Sequence, residues 1–303
     1  MSNISTVKLR KKIKNLKNFQ RMTKSISFSA ALKYKKIYKE ISNLMRNVFY
    51  FISLAKEIYL RNKIINKIIF EPKAVDGKKL IIIIASDRGL AGSFDNSIFK
   101  KAEEFIENNG SDNFLLATIG NKAEKYFSKK YNLLFSFSNF ESIFPKSFAS
   151  EFINYLNFLV KKNKISEIYF IRPNLSFSGF FVEDLKVFPF NLDTLENLIL
   201  KIMPKMRAWQ ELKIKSEFKW NFEYILEPDP ETLIRVIYEN VYFLIIYSII
   251  LEAQASLELT KTITMKRAFE NSVELEKETT LIYNKLRQQK ITQEILEIFS
   301  SND

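Results

Sequence analysis

The chain has 303 residues, 47 % of them hydrophobic, with no Cys, no His and a formal net charge of +13. That much apolar material argues for a folded protein with at least one sizeable core. The missing residue types exclude disulfides, thiolate chemistry, cysteine zinc sites and the commonest general base, while the charge points to an acidic partner: nucleic acid, anionic lipid or an acidic protein surface.

Residues 1–71 contain neither Gly nor Pro, which predicts one long helix. From Leu9, steps of four and three land on Leu9, Ile13, Leu16, Gln20, Thr23, Ser27, Ala30, Tyr34, Ile37, Ile41, Leu44, Val48, Phe51, Ala55 and Ile58. A heptad seam of that length, polar only at Gln20, Thr23 and Ser27, is a coiled-coil signature and calls for one partner helix. The opposite face carries Lys8, Arg10, Lys11, Lys12, Lys14, Lys17, Arg21, Lys24, Lys33, Lys35, Lys36 and Lys39, with no acidic residue before Glu40. A solvated face normally intersperses Glu and Asp, so this single sign points to an acidic partner, although an AT-biased genome would raise the Lys content by itself. Because these cations lead into an amphipathic segment rather than an apolar run, no signal peptide is expected, and the protein is expected in the cytoplasm.

All six glycines and seven prolines fall between Pro72 and Pro230. There the pattern switches to short apolar runs separated by turn residues. Residues 80–85 (LIIIIA) read as a buried strand, 86–93 as a Gly-containing loop and 96–108 as a helix. Residues 114–119 are a second strand, followed by a turn at Gly120 and a helix through Lys130. After a Ser/Phe-rich segment, 148–163 is helical, and 167–172 (EIYFIR) is a third strand closed by Pro173. Residues 180–190 and 218–226 are expected to be extended. Residues 72–228 thus read as one Rossmann-like α/β domain inserted between two halves of a coiled coil.

The last 73 residues again lack Gly and Pro, so a single helix of roughly 100 Å is expected, entered through EPDP at 227–230. Joined through the insert, the two terminal helices would most simply pair antiparallel. The domains expected are therefore 1–71, 72–228 and 229–303. The most apolar window, 241–251 (VYFLIIYSIIL), is 11 residues long, against about 20 for a membrane span, so no transmembrane segment is expected.

The loop SDRGLAG at 86–92 follows a strand and precedes a helix, where α/β folds bind phosphates. It fits neither GxxxxGK[ST] nor GxGxxG, so a structural turn is the expectation. With no paired carboxylates in a catalytic context, no enzyme activity of the chain itself, no cofactor and no metal are expected. Aromatic residues interleaved with the cations, at Phe19, Phe28, Tyr34 and Tyr38, raise a nucleic-acid reading; since Tyr34 lies on the seam, no nucleic-acid partner is expected.

These stretches carry a family resemblance. LRKKI at 9–13, QRMTK at 20–24, AALK at 30–33, SDRGLAG at 86–92, IGNK at 119–122, EPDP at 227–230 and IYNKLRQQKITQEILEI at 282–298 together resemble the gamma subunit of F-type ATP synthases nearly end to end. The resemblance implies a central rotor shaft that transmits torque between a catalytic hexamer of alpha and beta subunits and a membrane ring. It further implies an epsilon-type subunit and a c-ring as partners, and a peripheral position on the cytoplasmic side of the cell membrane, touching the membrane only through the ring. It implies hexamer contacts at Arg21, Lys24, Ser25, Ile26, Lys261, Arg287, Gln288, Thr292 and Ile295, and ring-side contacts at Val241, Tyr242, Phe243, Leu244 and Tyr247.

The chain departs from the family pattern in three places. Ala91 replaces the usual Cys of SDRGLCG. In ASLELTKTITMK at 255–266, Leu257 stands at the acidic position of ASExAARMxAMK and Lys261 at its Arg, and Lys is a poorer fork for bidentate contacts. The ring-side helix is apolar where relatives are polar. Either the insert covers that stretch or its partner has changed. The second possibility carries an alternative reading: a repurposed F-type motor that drives cell-surface motility without a proton-conducting ring.

Overall fold

In a computed structural model, the described residues are 6–61, 77–108, 114–140, 146–162, 164–176, 179–189 and 227–300. The expected extended segment at 218–226 lies outside them. The chain divides into two compact units, Lys33–Thr260 and the pair Met1–Leu32 with Lys261–Asp303. Two helices contribute to both: α1 (Thr6–Arg61) and the final helix α5 (Pro230–Ser300). Each is unbroken, as expected where no Gly or Pro interrupts the sequence. At the start of α5, Asp229 accepts the Thr232 N–H at 2.8 Å and the Thr232 hydroxyl at 2.7 Å, and Pro230 occupies the first helical position. Those bonds hold the Asp229 carboxyl below its ordinary range.

The Lys33–Thr260 unit is built on a five-stranded sheet in the order β3-β2-β1-β4-β5. The strands are β1 (Lys78–Ile84), β2 (Phe114–Ile119), β3 (Leu133–Phe137), β4 (Ile165–Ser176) and β5 (Gly179–Phe188). All pairs are parallel except the hairpin of β4 and β5. The remaining helices among the described residues are α2 (Phe94–Asn108), α3 (Asn121–Phe127) and α4 (Lys146–Lys161). Central β1 is buried along Leu80, Ile81, Ile82, Ile83 and Ile84, which explains why its sequence is a continuous apolar run without alternation. The core joins it to Met45 and Val48 of α1, Ile98 and Ala102 of α2, Phe152 and Leu156 of α4, and Ile245, Ile246, Ile249 and Ile250 of α5. Full burial of each large aliphatic side chain contributes about 1.5–3 kcal/mol.

The structure corrects two expectations. The Ser/Phe-rich segment contains strand β3, half-buried at the edge of the sheet. Strand β4 runs through Pro173 to Ser176. Among the described residues it pairs with β1 only as far as Ile171, so Pro173 lies beyond that ladder, where a residue without an N–H is tolerated. Helix α5 is long and apolar enough to cross a bilayer, and 67 % of its most apolar 18-residue window is buried inside the fold.

In the other unit the first part of α1 and the last part of α5 pair. The α1 seam is buried or half-buried at Leu9, Ile13, Leu16, Gln20, Thr23, Ser27 and Ala30, while Lys8, Arg10, Lys11, Lys12, Lys14, Lys17, Arg21 and Lys24 are exposed. The cross-helix bonds fix the direction. Lys17 meets Glu276 at 3.5 Å, Gln20 donates to Glu276 at 2.8 Å and to the Ser272 carbonyl at 3.2 Å, and the Ser27 hydroxyl donates to the Thr262 carbonyl at 3.1 Å. As the α1 partner advances the α5 partner recedes, so the helices are antiparallel. Polar seam residues turn their hydroxyls onto their own helix: Thr23 to the Phe19 carbonyl at 2.9 Å, Ser272 to Phe269 at 2.7 Å and Thr279 to Leu275 at 2.6 Å.

Candidate functional site

The loop after β1 holds the fold together. Asp87 accepts the backbone N–H groups of Asn121 at 3.1 Å and Asn139 at 2.9 Å, tying the ends of β2 and β3 to β1. The Asp95 carboxylate accepts the Ser86 N–H at 2.9 Å and its hydroxyl at 2.7 Å, and the Ser86 oxygen in turn accepts the Gly89 N–H at 3.1 Å. Gly89 and Leu90 both have positive φ, 78° and 66°. Gly120 has φ 103°, and a Cβ there would stand 2.1 Å from the Ala85 carbonyl oxygen, so no other residue fits. The loop is thus a structural cross-link at the end of the sheet.

The second arrangement lies on the long helices. Arg21, Lys24 and Ser25 are exposed, and Ile26 is half-buried beside the seam. Arg287, Gln288, Thr292 and Ile295 are exposed too, and 288, 292 and 295 share one helix face. Every residue from 287 to 298 is exposed, including Ile291 at 45 %, Ile295 at 47 %, Leu296 at 63 % and Ile298 at 61 %. Four large aliphatic side chains open to water within eight residues form an unusual patch for a helix end. Of these four, Ile295 alone is among the hexamer contacts that the family resemblance implies; Ile291, Leu296 and Ile298 carry the same signal, apolar side chains past the last buried seam position. Lys261, by contrast, is 8 % exposed, so it is a seam residue and not a surface cation.

The proposed ring-side residues are core. Val241, Tyr242, Leu244 and Tyr247 are buried and Phe243 is half-buried against the same cluster. The Tyr247 hydroxyl donates to Glu40 at 2.6 Å; burial first, then the Glu40 carboxylate, raises its pKa above the ordinary value. In the chain by itself these side chains pack inside their own unit, against the sheet and its helices.

Charge is buried on the same helix. Arg172 of β4 is fully buried and donates to two carboxylates: through Nε at 3.1 Å and Nη2 at 2.7 Å to Glu183, its direct cross-strand partner on β5, and through Nη1 to Glu252 of α5. The Glu183 oxygen also accepts Asn174 Nδ2 at 3.0 Å. Burial pushes the Glu252 carboxyl up to about 7 against the pull of Arg172, and Glu183 adds to the rise. No local pattern in the sequence reveals this trio.

A model of the protein family described as ATP synthase matches residues 5–303. The chain belongs to that family. Within the ATP synthase family, it is similar to proteins named ATP synthase gamma chain. That of Buchnera aphidicola subsp. Baizongia pistaciae is 29 % identical over 297 residues, covering 96 % of this chain and 95 % of the relative. That of Acetivibrio thermocellus is 28 % identical over 306 residues, with 98 % and 97 % covered. That of Caldanaerobacter subterraneus subsp. tengcongensis is 26 % identical over 295 residues, with 95 % and 96 % covered. The fold also resembles a chain of the rotor of the Euglena gracilis mitochondrial ATP synthase, with a TM-score of 0.55, 13 % identity and 94 % and 98 % of the two chains covered. A chain of the central stalk and c-ring of the Tetrahymena thermophila mitochondrial ATP synthase gives a TM-score of 0.56, with 19 % identity and 82 % and 99 % covered.

Proposed function

We infer that this ATP synthase family member is the central rotor (gamma) subunit of an F-type ATPase. It transmits torque between an alpha/beta catalytic hexamer and a membrane ring during ATP synthesis or hydrolysis. The observation that carries the reading is the family match across 5–303, in a chain whose ends form two unbroken antiparallel helices. The chain acts mechanically, and catalysis belongs to the hexamer. Residues 1–71 and 229–303 supply the shaft helices and 72–228 the inserted domain. The partners are the alpha and beta subunits, an epsilon-type subunit and a c-ring, and the subunit sits peripherally on the cytoplasmic side of the membrane.

Several features support a rotor mechanism. Seam bonds such as Gln20 to Glu276 and Ser27 to Thr262 resist sliding of one helix along the other. The exposed cations Arg21 and Lys24 on α1, and Arg287 with Gln288 on α5, offer charge and hydrogen bonds to acidic loops of the hexamer. The open aliphatic patch at 291–298 suits an apolar sleeve. Because the helix pair is asymmetric about its own axis, its orientation favours a different state in each surrounding nucleotide site, which couples rotation to binding and release. The apolar stretch 241–251 is taken up by the chain's own core, so it lends nothing to a motor without a ring.

The test is capture of the intact complex from native membranes by a tag on this chain, followed by mass spectrometry. Alpha-, beta- and c-type subunits together are expected. A hexamer bound to cytoskeletal or surface proteins with no ring would overturn the reading in favour of a repurposed motor.

A further inference from the structure

The buried charges of β4, β5 and α5 do not balance. Among the described residues, the charged groups acting on the Glu252 carboxyl are Arg172 of β4, which attracts its anion, and Glu183 of β5, which repels it. One guanidinium therefore faces two carboxylates, with side chains 0 %, 21 % and 5 % exposed for Arg172, Glu183 and Glu252. Glu183 is the better solvated of the two acids, and a single one of its oxygens already takes three donors from Arg172 and Asn174. Glu252 has one, from Nη1 of Arg172. The deeper, less supported carboxylate is where one proton relieves the excess negative charge.

We propose that Arg172, Glu183 and Glu252 form a proton-sensitive joint that holds helix α5 on the sheet. In the protonated state Arg172 is balanced by Glu183 alone, and Glu252 is a neutral acid that still meets the guanidinium through its carbonyl oxygen. In the ionised state the buried trio carries one net negative charge, and α5 is held less firmly. The joint rests on the fold and not on the rotor reading, so either can fail without the other.

The linkage has a definite sign. The ordinary Glu value is 4.5 and the folded value is about 7, so between them the folded chain holds a proton that the unfolded chain has released. Stability contributed by this group is full below about pH 4.5, declines as pH rises toward 7 and levels off above. The test is denaturant unfolding of the full chain from pH 5 to 8.5, wild type beside Glu252→Gln. The folding constant of wild type relative to the variant is expected to fall by up to about tenfold per pH unit between pH 5 and 7. Parallel profiles would overturn the proposal. In wild type, the 13C-labelled side-chain carboxyl of Glu252 is expected to titrate near 7, with Glu183→Gln moving that midpoint lower. A midpoint below 5 sinks the joint, whether or not Glu252→Gln folds.

Discussion

The two compact units of the chain reach order by different means. Around the sheet, strands and helices meet on several sides: Ile82, Ile98, Phe152 and Ile245 come from four elements and are almost wholly removed from water. In the helix pair of the other unit, the described residues cover a single stripe of each helix and leave the rest open. Even that stripe includes the buried hydroxyls of Thr23, Ser272 and Thr279. The difference teaches where substitutions register. Around the sheet the fold depends on close packing and on a few buried polar bonds, while the helix pair depends on continuity and register and leaves its surface free for partners.

The largest effect is expected at Arg172. Arg172→Met leaves Glu183 and the buried Glu252 without their guanidinium and should lower stability by about 3–5 kcal/mol in urea unfolding; adding Glu252→Leu should restore much of it. Recovery absent from the double variant would mean that Arg172 matters for packing alone. Next comes Ile245→Ala in the core, with an expected loss of about 2–5 kcal/mol. Gly120→Ala, which drives a Cβ against the Ala85 carbonyl at positive φ, should cost about 1–3 kcal/mol and shift the loop bonds of Asp87. Thr23→Val belongs to the other unit. Its hydroxyl is bonded within its own helix, so the change should stay within about 1 kcal/mol by thermal unfolding. A Thr23 loss as large as that at Ile245 would erase the contrast between the units.

Legibility in the sequence follows the same division. The long helices were readable because their signals are local: no breaker, a seam repeating at seven, and an Asp-Pro entry whose Asp229 does cap the helix. Strand β1 was readable because a strand buried on both faces is an uninterrupted apolar run. Strand β3 was not, since an edge strand of Leu, Phe and Ser covered on one side resembles irregular chain. The loop at 86–92 was rightly expected to be a turn, but nothing in it announced that Asp87 would bind amides 34 and 52 residues away. The trio was hidden more deeply, because Arg172 meets residues 11 and 80 positions distant on separate elements. The apolar stretch on α5 left two readings open for a related reason: hydropathy records that a surface will be covered, and only the tertiary fold says by what.

The smallest effect on stability should accompany a large effect on function. Arg287 and Gln288 are exposed on the final turns of α5, beyond the last buried seam residue, so replacing both with Ala removes no packing within the chain. Unfolding of the free chain should change by about 0.5 kcal/mol or less. If these side chains meet the hexamer, the assembled complex carrying the double variant should lose ATPase turnover or torque while composition and the unfolding of the sheet unit stay the same. Unchanged rotation and turnover would remove both residues from the interface. A fall in stability matching that of Ile245→Ala would instead show that the helix end is packed within the chain, and the division between a covered core and an open shaft would then need to be redrawn.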